Sequence, residues 1–227
     1  QKKSKKKIVV KDTLKFLTKA SSILRENLSS KIISITGSCG KTSLKELTGR
    51  SLKKISQTTY SPKSFNNKYG VPLSLFNLKK KDEFGIFEIG MDKRGEIDYL
   101  SKIIKPDVGV ITNISHAHIK NFQNINQIAL AKSEIIKNIN VDGYLVLNKD
   151  DNFYNFHKKI ALKRNLKILS FSLKNKSATT YLDSISKEKS KYKIFININK
   201  KKKLFYLNTF FENDLKNLLA SITIISI

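Results

Sequence analysis

A glycine-containing turn between an apolar run and a helical pattern constrains the fold of this chain more than any other feature. Residues 32–35 (Ile-Ile-Ser-Ile) indicate a buried β-strand, and residues 36–43 continue as Thr-Gly-Ser-Cys-Gly-Lys-Thr-Ser. Leucines at helical spacing follow over residues 42–54. A strand that turns through glycines into Gly-Lys-Thr at the start of a helix is the arrangement that binds polyphosphate groups. The turn therefore predicts a nucleotide site.

The residue types of this turn match what a nucleotide needs. Glycines let successive backbone N–H groups point at phosphate oxygens, and the helix N-terminus adds partial positive charge. Lys41 can reach the β- and γ-phosphate oxygens, and the Thr42 hydroxyl can bind Mg²⁺. The loop is shorter than the common G-x-x-x-x-G-K-[ST] pattern, because Ile35 stands where the first glycine would be. A chance turn is the alternative, and the flanking strand and helix disfavour it. The candidate nucleotide ligands are Gly37, Ser38, Cys39, Gly40, Lys41, Thr42 and Ser43.

Strand and helix patterns alternate along the rest of the chain. The predicted segments are helices at 12–28, 95–104, 125–139 and 213–226 and strands at 84–89, 107–112, 144–147, 166–172, 179–184, 192–198 and 203–208. Strands that alternate with helices favour a parallel, doubly wound sheet. We therefore predict an α/β protein with a P-loop mononucleotide-binding fold, a mainly parallel sheet flanked by helices, and extra β-strands in the C-terminal third.

The net charge raises the alternative of a nucleic-acid-binding protein. The chain has 44 Lys and Arg against 18 Asp and Glu, a formal charge of +26, but only four of the basic residues are arginine. Proteins that read phosphates and bases use arginine for its bidentate guanidinium. The lysines are spread over every segment together with many Asn and Ile, which is the bias of an AT-rich coding sequence. A P-loop nucleic-acid-binding module stays as the alternative, without an arginine cluster or recognition motif in its favour.

Cysteine content and apolar runs exclude several classes of protein. The single cysteine, Cys39, excludes a disulfide scaffold and a cysteine-rich zinc module. No apolar run reaches the roughly 20 residues of a membrane span, and no signal-peptide pattern opens the chain. We therefore expect a protein of the reducing cytoplasm. Because the chain starts at Gln1 without an initiator Met and stops at Ile227 within an apolar run, we also expect a fragment of a longer protein.

Polar residues at the ends of two predicted strands are candidates for the same site. Glu88 closes the strand at 84–89, and the carboxyl ends of parallel strands are where α/β sheets place their ligands. Its carboxylate suits Mg²⁺ and could share that ion with Thr42, although a strand-end Glu can also simply face solvent. His116 and His118 follow the strand at 107–112, but zinc would need more ligands than the sequence offers.

Lys132 interrupts the apolar stripe of the predicted helix at 125–139. It lies four residues after Ile128 and three before Ile135, both on that stripe. An inward lysine needs a partner or a changed charge state, because an unpaired buried charge is costly. A lysine that snorkels to solvent is the equal alternative.

Taken together, these segments resemble the central ATP-binding domain of the Mur ligases, the cytoplasmic enzymes of peptidoglycan precursor synthesis. The resemblance runs from about residue 31 to residue 150 and rests on the shortened loop Thr36-Gly-Ser-Cys-Gly-Lys-Thr42, Asn66-Asn67 before Gly70-Val-Pro72, Glu88-Ile-Gly-Met91 and Ala117-His118. The alanine immediately before His118 resembles the family member that adds a terminal dipeptide, since sister ligases generally carry Asp at that position. Residues 10–14 resemble that member's junction between its UDP-binding and central domains.

The resemblance implies a function and a role for each residue. It implies an ATP-dependent ligase that joins D-Ala-D-Ala to UDP-MurNAc-tripeptide through an acyl phosphate, in cell wall biogenesis. Lys41 and the loop amides would hold the β- and γ-phosphates, and Thr42 and Glu88 would bind one Mg²⁺. His118 and Lys132, which matches a carbamoylated lysine of the family, would bind a second Mg²⁺. Asn67, and with less support Asn66, would lie near the γ-phosphate.

The resemblance weakens toward the C-terminus. The family's adenine-contacting helix pattern is matched here by residues 213–221, in which Asn217 and Ala220 fit, whereas Asn213 and Asp214 replace the His and the first Asn. The resemblance implies that residues 1–30 form the junction from an N-terminal UDP-binding domain and that residues 31–227 form the central domain. It also implies that the C-terminal domain is missing. We expect a monomer that binds nucleotide weakly and cannot complete the ligation by itself. A sister ligase that adds a single amino acid is the near alternative.

Overall fold

The architecture is that of a computed structural model that describes residues 9–116 and 121–227. The strands are β1 (Lys31–Thr36), β2 (Thr58–Tyr60), β3 (Phe84–Glu88), β4 (Val108–Ile111), β5 (Tyr144–Asn148), β6 (Lys167–Ser172), β7 (Thr180–Glu188), β8 (Lys191–Ile198) and β9 (Lys201–Leu207). The helices are α1 (Thr13–Glu26), α2 (Lys41–Leu52), α3 (Gly70–Leu75), α4 (Glu96–Ile104), α5 (Ile125–Lys132), α6 (Glu134–Lys137), α7 (Tyr154–Leu162) and α8 (Glu212–Ile225).

All of these strands belong to one sheet with the order β2-β3-β1-β4-β5-β6-β7-β8-β9. Neighbours from β2 to β7 pair in parallel, and β7, β8 and β9 pair antiparallel. The order reverses next to β1, so the turn after β1 lies at the switch point where such sheets bind ligands. The predicted fold class, including the extra strands in the C-terminal third, is confirmed.

Helices cover both faces of the parallel strands, which explains why those strands are almost continuously apolar. Side chains alternate between two cores, so that Ile32 and Phe87 pack on one face of the sheet while Ile33 and Ile86 pack on the other. The second core also holds Leu219, because α8 packs beside α2 on that face. α1 packs on α3 and α4 at the first face.

The predicted helix at 125–139 is wrong in one respect, because the chain forms two helices, α5 and α6, that meet at Ser133. The Ser133 hydroxyl donates to the Leu130 carbonyl at 2.6 Å, and a serine that bonds back to its own helix competes with the regular backbone ladder. The break places Lys132 at the end of α5 and Glu134 at the start of α6. Both side chains are buried.

The C-terminal strands turn without glycine. The β7–β8 turn has Lys189 at φ 50°, and the β8–β9 turn has Asn199 and Lys200 at φ 48° and 68°. Left-handed backbone costs a lysine about 1 kcal/mol more than a glycine, so Lys189 and Lys200 adopt it against local preference, whereas asparagine tolerates it. Within the described residues, no helix has the length and apolar character that a membrane crossing requires.

Candidate nucleotide and metal site

Two glycines give the loop between β1 and α2 its shape. Gly37 has φ 144° and Gly40 has φ 82°, conformations that side chains disfavour. A Cβ on Gly37 would lie 1.9 Å from Thr112 Oγ1, and one on Gly40 would lie 3.0 Å from Asn217 Oδ1. The loop is therefore in close contact with the end of β4 on one side and with α8 on the other. We call residues 37–40 the phosphate loop.

Lys41 lies at the first position of α2 with its ammonium folded over the phosphate loop. Its Nζ donates to the Gly37 carbonyl at 2.9 Å and to the Ser38 carbonyl at 3.4 Å. Gly40 is the N-cap of α2 and has no side chain to cap the first turn. The N–H groups of that turn and the lysine charge together form an anion-binding end of the helix.

Thr42, Glu88 and Asn66 form a hydrogen-bonded group beside Lys41. Thr42 Oγ1 donates to Glu88 Oε2 at 2.7 Å, and Asn66 Nδ2 donates to Glu88 Oε1 at 2.8 Å. Glu88 is only 1% exposed at the end of β3, so it does not face solvent. A hydroxyl and a carboxylate are hard oxygen ligands, and this donor pair fits Mg²⁺.

Asn67 has a different role from Asn66. Its Oδ1 accepts from the Tyr69 and Gly70 N–H groups at 3.1 and 2.9 Å and so caps the start of α3. Asn66 and Asn67 line one cavity together with Lys41, Met91 and Arg94. This cavity, which we call the α4 cavity, opens on the Lys41 side of the phosphate loop.

Lys132 points inward. Its side chain is 2% exposed, and burial, with the nearby charge of Lys41, lowers its pKa to about 7. Of the two interpretations of Lys132 that the sequence leaves open, the structure supports the buried one. Two further residues named from the sequence, Ala117 and His118, lie outside the described residues.

A second cavity lies on the other side of the phosphate loop. It is lined by Cys39, Gly40, Ser43 and Asn217 from the predicted set. The sequence reasoning missed its other wall, where Asn148 ends β5, Asp150 and Asp151 follow it, and Lys174 follows β6. Their position at the carboxyl ends of strands is the signal that could have identified them. Within residues 9–116 and 121–227, no group of three His, Cys, Asp or Glu side chains could by itself hold a metal.

Glu134 is a second residue that the sequence reasoning missed. Its carboxylate accepts from the Gly95 N–H at 2.8 and 3.1 Å and from the Asp98 N–H at 3.1 Å. It therefore caps α4, whose own N-cap is Gly95. This contact joins the Lys132 region to the wall of the α4 cavity.

Comparison with known proteins places this geometry in a family. Residues 35–225 match the model of the Mur ligase middle domain. The UDP-N-acetylmuramoyl-tripeptide–D-alanyl-D-alanine ligase of Buchnera aphidicola subsp. Baizongia pistaciae is 39% identical over 189 residues, 82% of this chain and 40% of that protein. The chain therefore spans about two fifths of the length of that relative.

Two solved structures resemble the whole fold. Crystal structure I of MurF from Acinetobacter baumannii has a TM-score of 0.88 at 30% identity over 96% of this chain and 48% of that one. MurF ligase from Thermotoga maritima, in complex with ADP, has a TM-score of 0.86 at 25% identity over 100% of this chain and 52% of that one. The second comparison covers the whole chain and therefore includes the antiparallel strands and α8.

Proposed function

This chain belongs to the Mur ligase family, and we propose that it is the ATP-binding part of an enzyme that joins D-Ala-D-Ala to UDP-MurNAc-tripeptide. The observation that carries the proposal is the convergence of Lys41, Thr42 and Glu88 at the phosphate loop, on a switch point of the sheet. The ADP complex of the Thermotoga maritima relative supports nucleotide binding. The names of the curated relatives support the two substrates.

For this reaction the chain must bind the polyphosphate of ATP and stabilise the negative charge that develops during phosphoryl transfer. The terminal carboxylate of the tripeptide attacks the γ-phosphorus of ATP, which forms an acyl phosphate and releases ADP. The amine of D-Ala-D-Ala then attacks the acyl carbon, and phosphate leaves as the amide forms. Lys41 and the N–H groups at the start of α2 would hold the β- and γ-phosphates and offset negative charge in the transition state.

Mg²⁺ would be held by the Thr42 hydroxyl and the Glu88 carboxylate, where it would neutralise phosphate charge. Asn66 keeps the Glu88 carboxylate oriented through its 2.8 Å hydrogen bond. Asn67 would act indirectly, by fixing the start of α3 beside the α4 cavity. Asn217 would contribute to the adenine side from α8.

For Lys132 we propose carbamoylation, in which the neutral amine adds to CO₂ and releases a proton to form an anionic carbamate. The carbamate oxygens would be ligands for a second Mg²⁺ together with His118. Support comes from the 2% exposure of Lys132 and from its nearness to Lys41. We propose residues 1–30 as a junction and residues 31–227 as the central domain of a cytoplasmic, monomeric enzyme whose other domains help to bind the substrates.

Phosphate release by the complete protein tests this proposal. Release should require ATP, Mg²⁺, UDP-MurNAc-tripeptide and D-Ala-D-Ala together. Phosphate release that does not depend on the dipeptide but depends on a single amino acid would identify a sister ligase instead. Phosphate release that depends on neither acceptor would contradict the ligase assignment. Lys132→Ala should abolish activity and regain part of it with short carboxylic acids, whereas an undiminished Lys132→Ala would remove Lys132 from the site.

A further inference from the structure

The phosphate loop is tied to the segment that follows β4 by a dense set of hydrogen bonds. We call residues 112–115 the clamp segment. The Ser38 N–H donates to the Asn113 carbonyl at 3.0 Å, and the Ser38 hydroxyl donates to the Ser115 carbonyl at 3.1 Å and accepts from the Ser115 N–H at 2.9 Å. The Cys39 N–H donates to Asn113 Oδ1 at 2.9 Å, and Thr112 Oγ1 donates to the Cys39 carbonyl at 2.6 Å.

These bonds fix the backbone on both sides of Cys39. A peptide group whose N–H and neighbouring carbonyl are both bonded cannot rotate to suit a ligand. The N–H groups of Ser38 and Cys39 are directed at Asn113, so a phosphate is left with the N–H groups of Gly40 and the first turn of α2. The tight approach of Gly37 to Thr112 fits the same arrangement.

The clamp segment is itself held from the opposite side. Asp151 Oδ2 accepts from the Ile114 N–H at 2.8 Å, while Asp151 Oδ1 accepts from the Phe153 N–H at 2.8 Å. Asp151 belongs to the turn between β5 and α7 and also lines the cavity that holds Gly40 and Asn217. The clamp segment therefore connects the phosphate loop to the turn between β5 and α7.

We propose that Ser38 and Asn113 are positioning residues that preform the phosphate loop, and that their side chains act on the loop backbone and not on the nucleotide. The inference rests on the proposed nucleotide binding. A phosphate loop that already has its bound conformation need not be ordered when nucleotide binds, so the free energy of binding is not reduced by that step. Loss of either side chain should therefore weaken nucleotide binding without removing any group that touches phosphate.

Binding of MgADP to this chain, measured by calorimetry, tests the inference together with thermal unfolding of each variant. Ser38→Ala removes two hydrogen bonds and Asn113→Ala removes one, and each should weaken the affinity for ADP about fivefold or more, as expected for about 1 kcal/mol per bond. Ser38→Thr keeps the hydroxyl and should restore most of the affinity. Ser115→Ala is the matched control, because Ser115 contributes only backbone atoms to the bonds with Ser38, and its hydroxyl meets the loop only through a weak 3.9 Å contact with Cys39 Sγ. This variant should bind as the unchanged chain does.

The outcomes separate this inference from the proposed function. Affinities of Ser38→Ala and Asn113→Ala equal to that of the unchanged chain would overturn the inference and leave nucleotide binding in place. A fall in unfolding temperature with unchanged affinity would show that the bonds serve stability alone, and would also overturn it. Failure of the unchanged chain to bind MgADP would contradict the proposed function and the inference with it.

Discussion

The parallel region, residues 31–172, and the antiparallel region, residues 180–207, differ in how their turns and polar groups are built. In the parallel region, the phosphate loop turns at Gly37 and Gly40, whereas turns away from the site include Lys105, Asp142 and Asn165 at positive φ. Buried polar side chains of this region such as Glu88 and Glu134 have specific partners. In the antiparallel region, turns use Lys and Asn at positive φ, and ion pairs such as Lys193–Glu188 are solvent-accessible. A lysine-rich composition is therefore tolerated where side chains are exposed and make no specific buried contacts.

The largest effect is expected for Gly37→Ala in the parallel region. The new Cβ would lie 1.9 Å from Thr112 Oγ1 at φ 144°, so we expect the free energy of unfolding to fall by about 3 kcal/mol and ADP binding to be lost. Gly95→Ala is the control, because its Cβ would meet no atom within 4 Å although φ is also positive, at 91°. We expect it to cost about 1 kcal/mol. Equal losses for both variants, measured by urea unfolding, would contradict the account of the loop.

Glu134→Ala should have the next largest effect. It leaves the Gly95 and Asp98 N–H groups without their acceptor, and we expect a loss of about 2 kcal/mol in urea unfolding. Glu134→Gln keeps an oxygen acceptor and should lose less. Glu188→Ala, which removes a half-exposed partner of Lys193 in the antiparallel region, should change stability far less than Glu134→Ala. A larger loss for Glu188→Ala than for Glu134→Ala would contradict the stated difference between the two regions.

The pH dependence of stability should depend on His157, which is buried on α7. Burial is the main cause that lowers its pKa below 6.5, and its Nε2 lies 3.1 Å from the Ala129 carbonyl. Since the unfolded chain binds a proton at His157 more readily than the folded one, this residue's contribution to stability is lost as pH falls below about 6.5. His157→Gln should flatten the fall in unfolding free energy between about pH 7 and pH 5. An identical pH profile would contradict a neutral, buried His157.

The smallest effect is expected in the antiparallel region. Lys202 Nζ lies 2.5 Å from Asp183 Oδ2 and 4.6 Å from the centre of the Phe195 ring, but the lysine side chain is 53% exposed. Exposed pairs of this kind contribute little to stability. We expect Lys202→Gln to leave the unfolding temperature and ADP affinity unchanged within error. A marked loss of ADP affinity would show that the basic surface is functional.

The sequence was sufficient for the elements that follow local rules. The strand, glycine turn and helix around Lys41 and the core strands at 84–88 and 144–148 lie where apolar patterns predict them. The prediction missed β2, because its three residues are too few to show a periodic pattern. It missed α7 because this helix buries only His157 and Ala161. It also missed the clamp segment and the Glu134 cap, since hydrogen bonds between Ser38 and Ser115 span 77 residues and leave no local pattern.

A calorimetric titration of this chain and its Lys41→Met variant with MgADP tests directly whether Lys41 and the phosphate loop bind nucleotide. We expect saturable binding of one nucleotide by the unchanged chain. Lys41→Met should weaken this binding at least about tenfold, because charge-assisted hydrogen bonds to phosphate are lost. Equal binding by both proteins, or no binding by the unchanged chain, would contradict this expectation.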